Sequence, residues 1–327
     1  MFKAILLKKT DQGFQRELTM VEETDLMEGD VTINVEYSTI NYKDALAITD
    51  KIPIVRHWPM VPGIDFAGVV AESSHASWQT GDKVILNGWG VGEVHWGGFA
   101  EKARVNGDWL IKLPDNISAK QAMSVGTAGY TAMLCILKLQ QHGITPNKGK
   151  VLVTGASGGV GSIATRILSN LGYEIIASTK PGKESDYVKS LGAKEIIDRA
   201  ELSTKGRPLG KERWIAAVDC VGSHTLANVC AGTKYGGIVS ACGLAQGMDL
   251  PATVAPFILR GITLAGIDSV YAPKIIREEA WINIAKFMDL ATIETNTTEI
   301  TLDDAIEKAV ELIEDKLIGR VVVNVKA

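Results

Sequence analysis

The sequence predicts an α/β protein in which a doubly wound parallel sheet is joined to a second domain of mostly antiparallel strands. Three observations carry this prediction. Short β-like runs fill the first 120 residues, strand and helix patterns alternate from Lys150 onward, and an amphipathic helix followed by an apolar strand ends the chain. Alternating strands and helices are typical of a parallel sheet with helices on both faces. The 327 residues, 46% of them apolar, are enough for two cores, because single cores stop growing at about 250–300 residues.

Residues 1–122 are predicted to form a barrel-like domain. The runs FKAILL, VTINVEY, FAGVVAE and DKVILNG cluster apolar and β-branched residues between Gly and Asp, which is the pattern of short strands bounded by turns. Between the second and third runs lies a loop, residues 52–63, that contains three prolines.

Residues 123–270 are predicted to form the parallel-sheet domain. Asn116 and Ser118 are candidate caps of a helix that leads into it. The strands are expected at VLVTGA, YEIIAST, EIID, WIAAVDCVG, GGIVSACG and GITLAGID, and helices at GVGSIATRILSNLG and ESDYVKSLGA. In residues 271–327, the helix AIEKAVELIEDKLI ends at Gly319 and the strand RVVVNV follows. We expect this tail to return to the first domain.

Charge, cysteine content and apolar run lengths exclude several classes of protein. The net charge is −4 and no basic run could follow a phosphate backbone, so no nucleic-acid partner is expected. The N-terminal apolar stretch, residues 4–7, is shorter than the about 7–15 residues of a secretory signal. No apolar run approaches the about 20 residues that span a bilayer, so no membrane partner is expected. The cysteines form no C-x-x-C pair, and we expect small buried residues in a reducing compartment at Cys135, Cys220, Cys230 and Cys242.

The segment VLVTGASGGVGSIA, residues 151–164, predicts a dinucleotide-binding loop. Its glycines stand at 155, 158, 159 and 161, between a strand and a helix. Small residues let the backbone approach a pyrophosphate, and the N–H groups at the helix start then hold it. The pattern is A-x-G-x-x-G, with Ala156 at the first position, and its strand–loop–helix–strand context makes the motif informative. The alternative is a tight turn that binds no ligand.

The end of the next strand predicts which dinucleotide binds. Sites that prefer NAD usually place Asp or Glu about 20 residues after the loop, where it bonds the ribose 2′-hydroxyl. This chain has Ser178, Thr179 and Lys180 there, followed by Lys183. Hydroxyls and a lysine attract a 2′-phosphate, which an acid would repel, so we predict NADP(H). The alternative is that both lysines are solvated loop charges.

Missing residues disfavour two classes of reductase. None of the seven tyrosines has Lys four positions later, so the Tyr-x-x-x-Lys of short-chain dehydrogenases is absent. The first 120 residues contain no cysteine, and His57, His75 and His95 alone do not supply the ligand set of zinc alcohol dehydrogenases. We therefore predict no metal. Hydride addition to an activated C=C is then favoured, with hydrogen-bond donors to the developing enolate worth about 2.7–4 kcal/mol each.

The order of these features resembles the medium-chain dehydrogenases/reductases. The tract WGVGEVHWGG is the most specific of the segments that closely resemble their zinc-free acryloyl-CoA reductase group, the AcuI/YhdH-type quinone oxidoreductases. Those segments are residues 38–46, 61–70, 88–105, 125–135, 154–162 and 255–270. The resemblance implies a Rossmann domain, a GroES-like β-barrel catalytic domain, and a cytoplasmic homodimer that uses NADPH to reduce acryloyl-CoA to propionyl-CoA.

The resemblance also implies roles for individual residues. Tyr42 matches a tyrosine that contacts the cofactor, and Arg320 matches a tail arginine that faces the cleft. The other implied cofactor positions are Ala156, Ser157, Gly158, Gly159 and Val160 at the pyrophosphate, Ser178, Thr179 and Lys180 at the 2′-phosphate, and Leu244, Ile258 and Ser269 towards the nicotinamide half.

Catalytic residues are expected just after the run VTINVEYSTI. Asn41 and the Tyr42 hydroxyl are neutral donors suited to a thioester carbonyl or a nicotinamide amide, and Tyr42 is a candidate proton donor to Cα. Asp44 is also assigned to the catalytic set. Both Asp44 and Asp65 are expected either to orient Tyr42 or Lys43 or to cap a turn.

Four further side chains have open roles. Arg320 is expected to bind a phosphate of the cofactor or of CoA, the alternative being a surface ion pair with the acidic helix before it. Trp89, His95 and Trp96 lie in a glycine-rich loop and either wall a pocket or pack the barrel edge, with packing favoured.

Three activities are consistent with these predictions. The first is NADPH-dependent acryloyl-CoA reduction. The second keeps the same fold and cofactor but acts on quinones or α,β-unsaturated ketones. The third is a dinucleotide-binding protein with little turnover. The acyl-CoA substrate is implied by the resemblance alone.

Overall fold

The computed structural model describes residues 1–327, which form fifteen strands and nine helices. The strands are β1 (Phe2–Thr10), β2 (Gly13–Val21), β3 (Val31–Thr39), β4 (Asp65–Ser73), β5 (Lys83–Asn87), β6 (Lys102–Val105), β7 (Ile111–Lys112), β8 (Val151–Thr154), β9 (Ile175–Thr179), β10 (Glu195–Asp198), β11 (Trp214–Asp219), β12 (Thr233–Ala241), β13 (Thr263–Gly266), β14 (Thr297–Thr301) and β15 (Arg320–Asn324). The helices are α1 (Tyr42–Thr49), α2 (Ala119–Gln141), α3 (Gly159–Asn170), α4 (Lys183–Ser190), α5 (Ser223–Gly232), α6 (Ala255–Arg260), α7 (Lys274–Phe287), α8 (Leu290–Thr295) and α9 (Ala305–Ile313).

These elements fall into two units. Unit 1 comprises Met1–Thr127, Val270–Ala285 and Asp289–Ala327, and unit 2 comprises Ala128–Ser269 with Lys286–Met288.

Unit 1 is built on a seven-stranded sheet in the order β14-β15-β3-β4-β5-β7, with β6 also paired to β3. All pairs are antiparallel except β14 with β15. β1 and β2 form a separate antiparallel hairpin. Strand β15 pairs with β3 through Val323 opposite Ser38, so the C-terminal tail and the N-terminal strands share one sheet. Phe2, Ile33 and Phe66 are among the residues of its buried apolar core.

Unit 2 contains a six-stranded parallel sheet in the order β10-β9-β8-β11-β12-β13. This confirms the predicted doubly wound sheet. The order of the strands reverses between β8 and β11, and ligands of such sheets bind outside the carboxyl ends of the strands at that reversal. The glycine loop follows β8 and therefore lies at this position.

Helix α2 is interrupted at Gly126, where φ is 55° and ψ is −163°, a conformation that is essentially restricted to glycine. Ser118 caps its start, because Gln121 N donates to Ser118 Oγ at 3.1 Å. The side chain of Asn116 donates instead to Ala285 O at 3.3 Å, so of the two candidate caps the structure supports Ser118.

By length and composition, α2 is the single helix that is long and apolar enough to cross a membrane. The sequence analysis found no apolar run of that length. However, 89% of the apolar stretch of this helix is buried inside the protein. Burial of this kind is what the core helix of a globular protein shows.

Candidate functional site

The glycine loop joins β8 to α3 at the carboxyl edge of the parallel sheet. Gly155 adopts φ +57°, and Gly158 N donates to Gly155 O at 3.0 Å, which closes the turn. The first hydrogen bond of α3 runs from Ser162 N to Gly158 O at 2.9 Å. The N–H groups of Gly159 and Val160 therefore have no acceptor within the helix. They are donors of the kind that holds a pyrophosphate.

Helix α3 packs directly on this loop at Gly161. A Cβ at this position would lie 2.3 Å from Gly155 O and 2.7 Å from Cα of Ala156. Any side chain would push the helix away from the loop. The glycine at the last position of the motif is thus required by helix–loop packing.

Ala156 has a different role from the one assigned by the motif. It is fully buried, and its N–H donates to Ser178 O at 3.2 Å. The N–H group is therefore already bonded and does not point to a pyrophosphate. Ala156 fixes the loop to β9, which corrects its assignment as a direct cofactor contact.

An acid that the sequence prediction missed lies next to the end of β9. Glu184, in the first turn of α4, accepts hydrogen bonds through Oε2 from Ser157 Oγ at 2.6 Å and from Thr179 Oγ1 at 2.6 Å. Lys180 Nζ lies 3.9 Å from its Oε1. The premise that no acid reaches this segment is therefore wrong, whereas the prediction of NADP(H) also rests on the hydroxyls and the lysine that are present there. Glu184 could have been found from the sequence as an acid in the first turn of the helix that follows β9.

The pKa of Glu184 is lower than usual even though the group is partly buried. Burial works against ionisation, but the hydrogen bonds from Ser157 and Thr179 outweigh it. The side chain is therefore a carboxylate at neutral pH. It brings a negative charge into the segment assigned to the 2′-phosphate.

Asp219, at the end of β11, holds the neighbouring loop in place. Its carboxylate accepts from Thr154 Oγ1 at 2.7 Å and from Gly222 N at 2.8 Å. Thr154 Oγ1 in turn accepts from Cys220 N at 3.0 Å. These bonds join the strand before the glycine loop to the turn after β11. Asp219 was also missed, because an acid at a strand end has no distinctive spacing.

The three residues assigned to the nicotinamide half lie in different settings. Leu244 and Ser269 each follow the carboxyl end of a strand, β12 and β13, which is the edge that carries the glycine loop. Ile258 lies on α6 and its side chain is 74% exposed. Ile258 is thus the one of the three that lies on a helix and not after a strand end, and its assignment stays a prediction.

The four cysteines are free thiols, and three of them converge. The sulfur atoms of Cys220 and Cys242 lie 3.9 Å apart. Hydrogen bonding with the side chains of Cys135 and Cys220 lowers the pKa of Cys242. Cys135 and Cys230 are buried as expected, whereas Cys220 and Cys242 are partly exposed.

A second group of polar residues lies in unit 1, where α1 begins directly after β3. Asn41 and Asp44 form a capping box at the start of the helix. Asp44 Oδ2 accepts from Asn41 N at 2.9 Å, and Asp44 Oδ1 accepts from Ile64 N at 2.9 Å. Asp44 is only 1% exposed. Because both of its oxygens are bonded to backbone, Asp44 caps the start of α1, which is the turn-capping alternative and corrects its assignment to the catalytic set.

Asp65 is the centre of this group. Its Oδ2 accepts from Asn41 Nδ2 at 3.0 Å and from Thr127 N at 2.6 Å, while its buried Oδ1 accepts no hydrogen bond. Asn41 Nδ2 also lies 3.4 Å from Thr39 O. The amide donors of Asn41 are thus engaged within the protein. This argues against the predicted role of Asn41 as a donor to the substrate.

Arg320 is buried beside Asp65. Its Nε donates to Ser124 O at 3.1 Å, and its Nη2 donates to Thr39 Oγ1 at 2.9 Å. A Cβ on Gly126 would lie 2.6 Å from Arg320 Nη2, so the break in α2 makes room for the guanidinium. Arg320 is only 6% exposed, and the alternative of a surface ion pair is wrong.

Burial controls the ionisation of the two acids. It raises the pKa of Asp44 to about 7, and the charge of Asp65 adds to that rise. It also raises the pKa of Asp65, against which hydrogen bonds from Thr127 and the charge of Arg320 act. Two acids and one guanidinium therefore share a region from which water is largely excluded. We call Thr39, Asn41, Asp44, Asp65, Thr127 and Arg320 the polar cluster.

Tyr42 is the predicted catalytic residue that remains accessible. It opens α1 and its side chain is 50% exposed. Its hydroxyl makes no hydrogen bond within the protein, in contrast to the amide of Asn41. The neighbouring Lys43 Nζ is paired with Glu93 Oε1 at 2.8 Å.

The glycine-rich loop around residues 88–98 packs within unit 1. Packing was the favoured alternative for its aromatic side chains. Trp96 is buried and its Nε1 donates to Pro59 O at 2.9 Å. The ring of His95 packs edge-on against Trp109 with centroids 5.3 Å apart. The Trp89 ring stacks on Trp109 and lies 4.4 Å from the guanidinium of Arg277.

Comparison with known proteins identifies the family. The family model for the alcohol dehydrogenase GroES-like domain matches residues 27–115, and the model described as zinc-binding dehydrogenase matches residues 159–288. Acrylyl-CoA reductase AcuI of Ruegeria pomeroyi is 49% identical over 100% of both chains. The chain belongs to the medium-chain dehydrogenase/reductase family. Within this family it is similar to acrylyl-CoA reductases along its whole length, which confirms the resemblance drawn from the sequence.

Solved structures of other family members share the fold. The yhdH oxidoreductase of Salmonella enterica, in complex with NADP, is 49% identical with a TM-score of 0.96, covering 99% of each chain. The yhfP protein of Bacillus subtilis, with NAD bound, is 40% identical with a TM-score of 0.94, again covering 99% of each chain. The family model named for zinc has no matching ligand set here, because no group of three or more His, Cys, Asp or Glu could hold a metal ion.

Proposed function

We propose that the protein is an NADPH-dependent reductase that converts acryloyl-CoA to propionyl-CoA. The observation that carries this proposal is the 49% identity with an acrylyl-CoA reductase over the full length of both chains. The structure supports the cofactor half of the proposal independently, through a glycine loop that leaves the first N–H groups of α3 without an acceptor in the helix. The acyl-CoA half rests on the similarity.

The residues of unit 2 fit a dinucleotide. The N–H groups of Gly159 and Val160 would hold the pyrophosphate at the positive end of α3. Ser157 was assigned to the pyrophosphate, but its Oγ lies 2.9 Å from Thr179 Oγ1. We therefore place it with Thr179 and Lys180, whose side chains would hold the adenosine ribose and its 2′-phosphate. When bound, NADPH supplies the hydride that reduces the substrate.

In unit 1, Tyr42 is the group best suited to act on the substrate. Hydride addition to Cβ of an enoyl thioester places negative charge on the carbonyl oxygen, and the reaction is completed by a proton at Cα. A neutral hydroxyl is suited to both tasks: it stabilises the developing enolate as a hydrogen-bond donor and can deliver the proton. We propose that the polar cluster positions α1, and with it Tyr42, and does not touch the substrate.

The proposal is tested by comparing substrates side by side. NADPH oxidation is followed at saturating cofactor with acryloyl-CoA, crotonyl-CoA and a simple quinone, and propionyl-CoA is identified by mass spectrometry. We expect the highest kcat/KM with acryloyl-CoA. A higher kcat/KM for the quinone would favour the enone or quinone reductase, and NADPH binding without any turnover would favour a binding protein.

The role of Tyr42 is tested with Tyr42→Phe. Loss of a positioned proton donor lowers rates by about 10²–10⁴-fold, so kcat should fall in that range. The dissociation constant of NADPH should change much less. Because half of the side chain is exposed, the melting temperature should stay near that of the parent. An unchanged kcat would remove Tyr42 from the chemistry.

We also propose that the protein forms a homodimer through unit 2. Strand β13 is an edge of the parallel sheet, and a row of exposed apolar side chains lies on the adjoining segment. They are Met248, Leu250, Val254, Ile258 and Leu259, with exposures of 86%, 44%, 67%, 74% and 63%. Large exposed apolar patches mark interaction sites. Ile258→Glu should therefore yield monomers in sedimentation velocity, whereas Ile282→Glu, at an equally exposed apolar position of α7, should not.

Two further proposals concern the setting of the reaction. We propose that the reaction needs no zinc, since the first 120 residues contain no cysteine, and that activity survives dialysis against a chelator. We propose a cytoplasmic location, because the four cysteines form no C-x-x-C pair and no tight cluster in the sequence, as is typical of proteins in a reducing compartment. Fractionation of the source cells, with activity recovered outside the cytoplasmic fraction as the contrary result, tests the location.

A further inference from the structure

The carboxylate of Glu184 lies among the donors assigned to the 2′-phosphate. Its Oε2 accepts from Ser157 Oγ, from Thr179 Oγ1 and, at 3.4 Å, from Lys180 N. Thr179 Oγ1 also lies 2.9 Å from Ser157 Oγ. Hydroxyl groups, a backbone N–H and a lysine make a typical anion site. Here an acid of the chain itself engages every one of these donors.

Such a carboxylate has opposite effects on the two dinucleotides. A ribose 2′-hydroxyl can donate to it, which is the role that Asp or Glu has in NAD sites. A 2′-phosphate carries negative charge and needs the same donors, so the carboxylate repels it and competes with it. The side chain of Glu184 is only 17% exposed, so solvent screens this repulsion only in part.

We infer that Glu184 is a specificity-determining residue, an internal competitor of the 2′-phosphate that supports NADH binding and limits the preference for NADPH. Lys180, 3.9 Å from the same carboxylate, acts in the opposite direction by attracting the phosphate. The balance between these two side chains sets the ratio of the affinities. This inference rests on the proposal that Ser157, Thr179 and Lys180 form the 2′-phosphate subsite.

The test is the isosteric variant Glu184→Gln, studied by isothermal titration calorimetry. The amide keeps one oxygen acceptor for the hydroxyls but loses the charge. We expect the dissociation constant of NADPH to fall by about tenfold, as expected for removal of a partly screened charge next to a dianion. The dissociation constant of NADH should stay the same as in the parent protein or rise. The fragments 2′,5′-ADP and 5′-AMP should repeat this difference, since they differ in the 2′-phosphate alone.

A matched control is Asp186→Asn. It removes the same charge from the first turn of α4, but Asp186 is exposed and makes no hydrogen bond to Ser157 or Thr179. Its effect on NADPH binding should be much smaller than that of Glu184→Gln. Equal effects would show that only the net charge of the helix matters, and would overturn the inference. So would weaker binding of both dinucleotides in Glu184→Gln, or unchanged binding of both.

A second pair of variants separates this inference from the subsite on which it rests. Lys180→Met and Thr179→Val should weaken 2′,5′-ADP and leave 5′-AMP almost unchanged. If they weaken both fragments equally or neither, the assignment of the subsite is wrong. If they behave as expected while Glu184→Gln does not tighten NADPH, the subsite stands and the role of Glu184 is refuted. Circular dichroism of each variant checks that the fold is retained.

Discussion

The glycine loop of unit 2 and the polar cluster of unit 1 are built by different means. The loop offers backbone N–H groups of consecutive residues, and its glycines are needed for close packing. The polar cluster consists of side chains from β3, α1, β4, α2 and β15, which are far apart in the chain. A site made from consecutive backbone groups depends on local conformation. A site made from distant side chains depends on every element that contributes to it, and should respond to substitution through stability first.

The largest effect on cofactor binding is expected from the loop. In Gly161→Val the new Cβ would lie 2.3 Å from Gly155 O, so α3 must move and its first-turn N–H groups with it. Overpacking of this kind costs about 1–3 kcal/mol, and 3 kcal/mol corresponds to about 100-fold in affinity. We expect NADPH binding, measured by calorimetry, to weaken to that extent. Gly266→Ala, where a Cβ meets nothing within 4 Å, is the control, and equal losses in the two variants would contradict the packing argument.

The largest effect on stability is expected from the polar cluster. Arg320→Met removes the guanidinium next to the fully buried Asp65 and leaves that acid without its counter-charge. Loss of one partner from a buried pair costs about 3–5 kcal/mol, which urea denaturation would measure. The double variant with Asp65→Asn should recover most of this loss, because no uncompensated charge remains. If the double variant is as unstable as the sum of the two single ones, Arg320 and Asp65 do not act as a pair.

The same contrast explains what the sequence could predict. The strands of unit 2, the glycine loop and the helix after it were all predicted, because their signals are local. The polar cluster was found only in part. Thr127 N bonds Asp65 across 62 positions and Arg320 bonds Thr39 across 281, and no local pattern indicates such pairings. Arg320 was singled out, but its burial and its partners follow from the pairing of β15 with β3.

Individual misses have physical reasons of the same kind. Strand β2 was not predicted, because it is mostly exposed and lacks an alternating apolar face. Glu184 was overlooked because the NAD signature is sought at the strand end, whereas this acid approaches from the first turn of the following helix. Asp44 was assigned to catalysis by its place beside Tyr42. Its two acceptor bonds to backbone become apparent only when Ile64 is placed next to it.

The pH dependence of stability should sharpen the description of the polar cluster. Burial raises the pKa of Asp44 from 3.8 to about 7 in the folded protein. Between these values the folded state holds a proton that the unfolded state has lost, so stability falls as pH rises through this window and levels off above it. The contribution is about 1.4 kcal/mol per pH unit.

Asp44→Asn tests this directly. The free energy of unfolding is measured between pH 4 and pH 8 for the parent and the variant, and the difference between them is plotted. We expect the free energy of unfolding of the variant to rise relative to that of the parent as the pH rises towards 7. Asp11→Asn, in an exposed turn, should give a flat difference. A flat difference for Asp44→Asn as well would mean that Asp44 is ionised throughout.

The smallest effect is expected just outside the cluster, at Lys43. Its Nζ pairs with Glu93 Oε1 at 2.8 Å, but the two side chains are 31% and 18% exposed, and such pairs contribute about 0–1 kcal/mol. Lys43→Met should therefore change the free energy of unfolding by less than Arg320→Met, although Lys43 is next to both Tyr42 and Asp44 in the chain. Its kcat should remain near that of the parent. A large loss of kcat without loss of stability would instead place Lys43 with Tyr42 in the chemistry. Tyr42 would then not be the one residue of α1 that acts on the substrate while the polar cluster positions the helix.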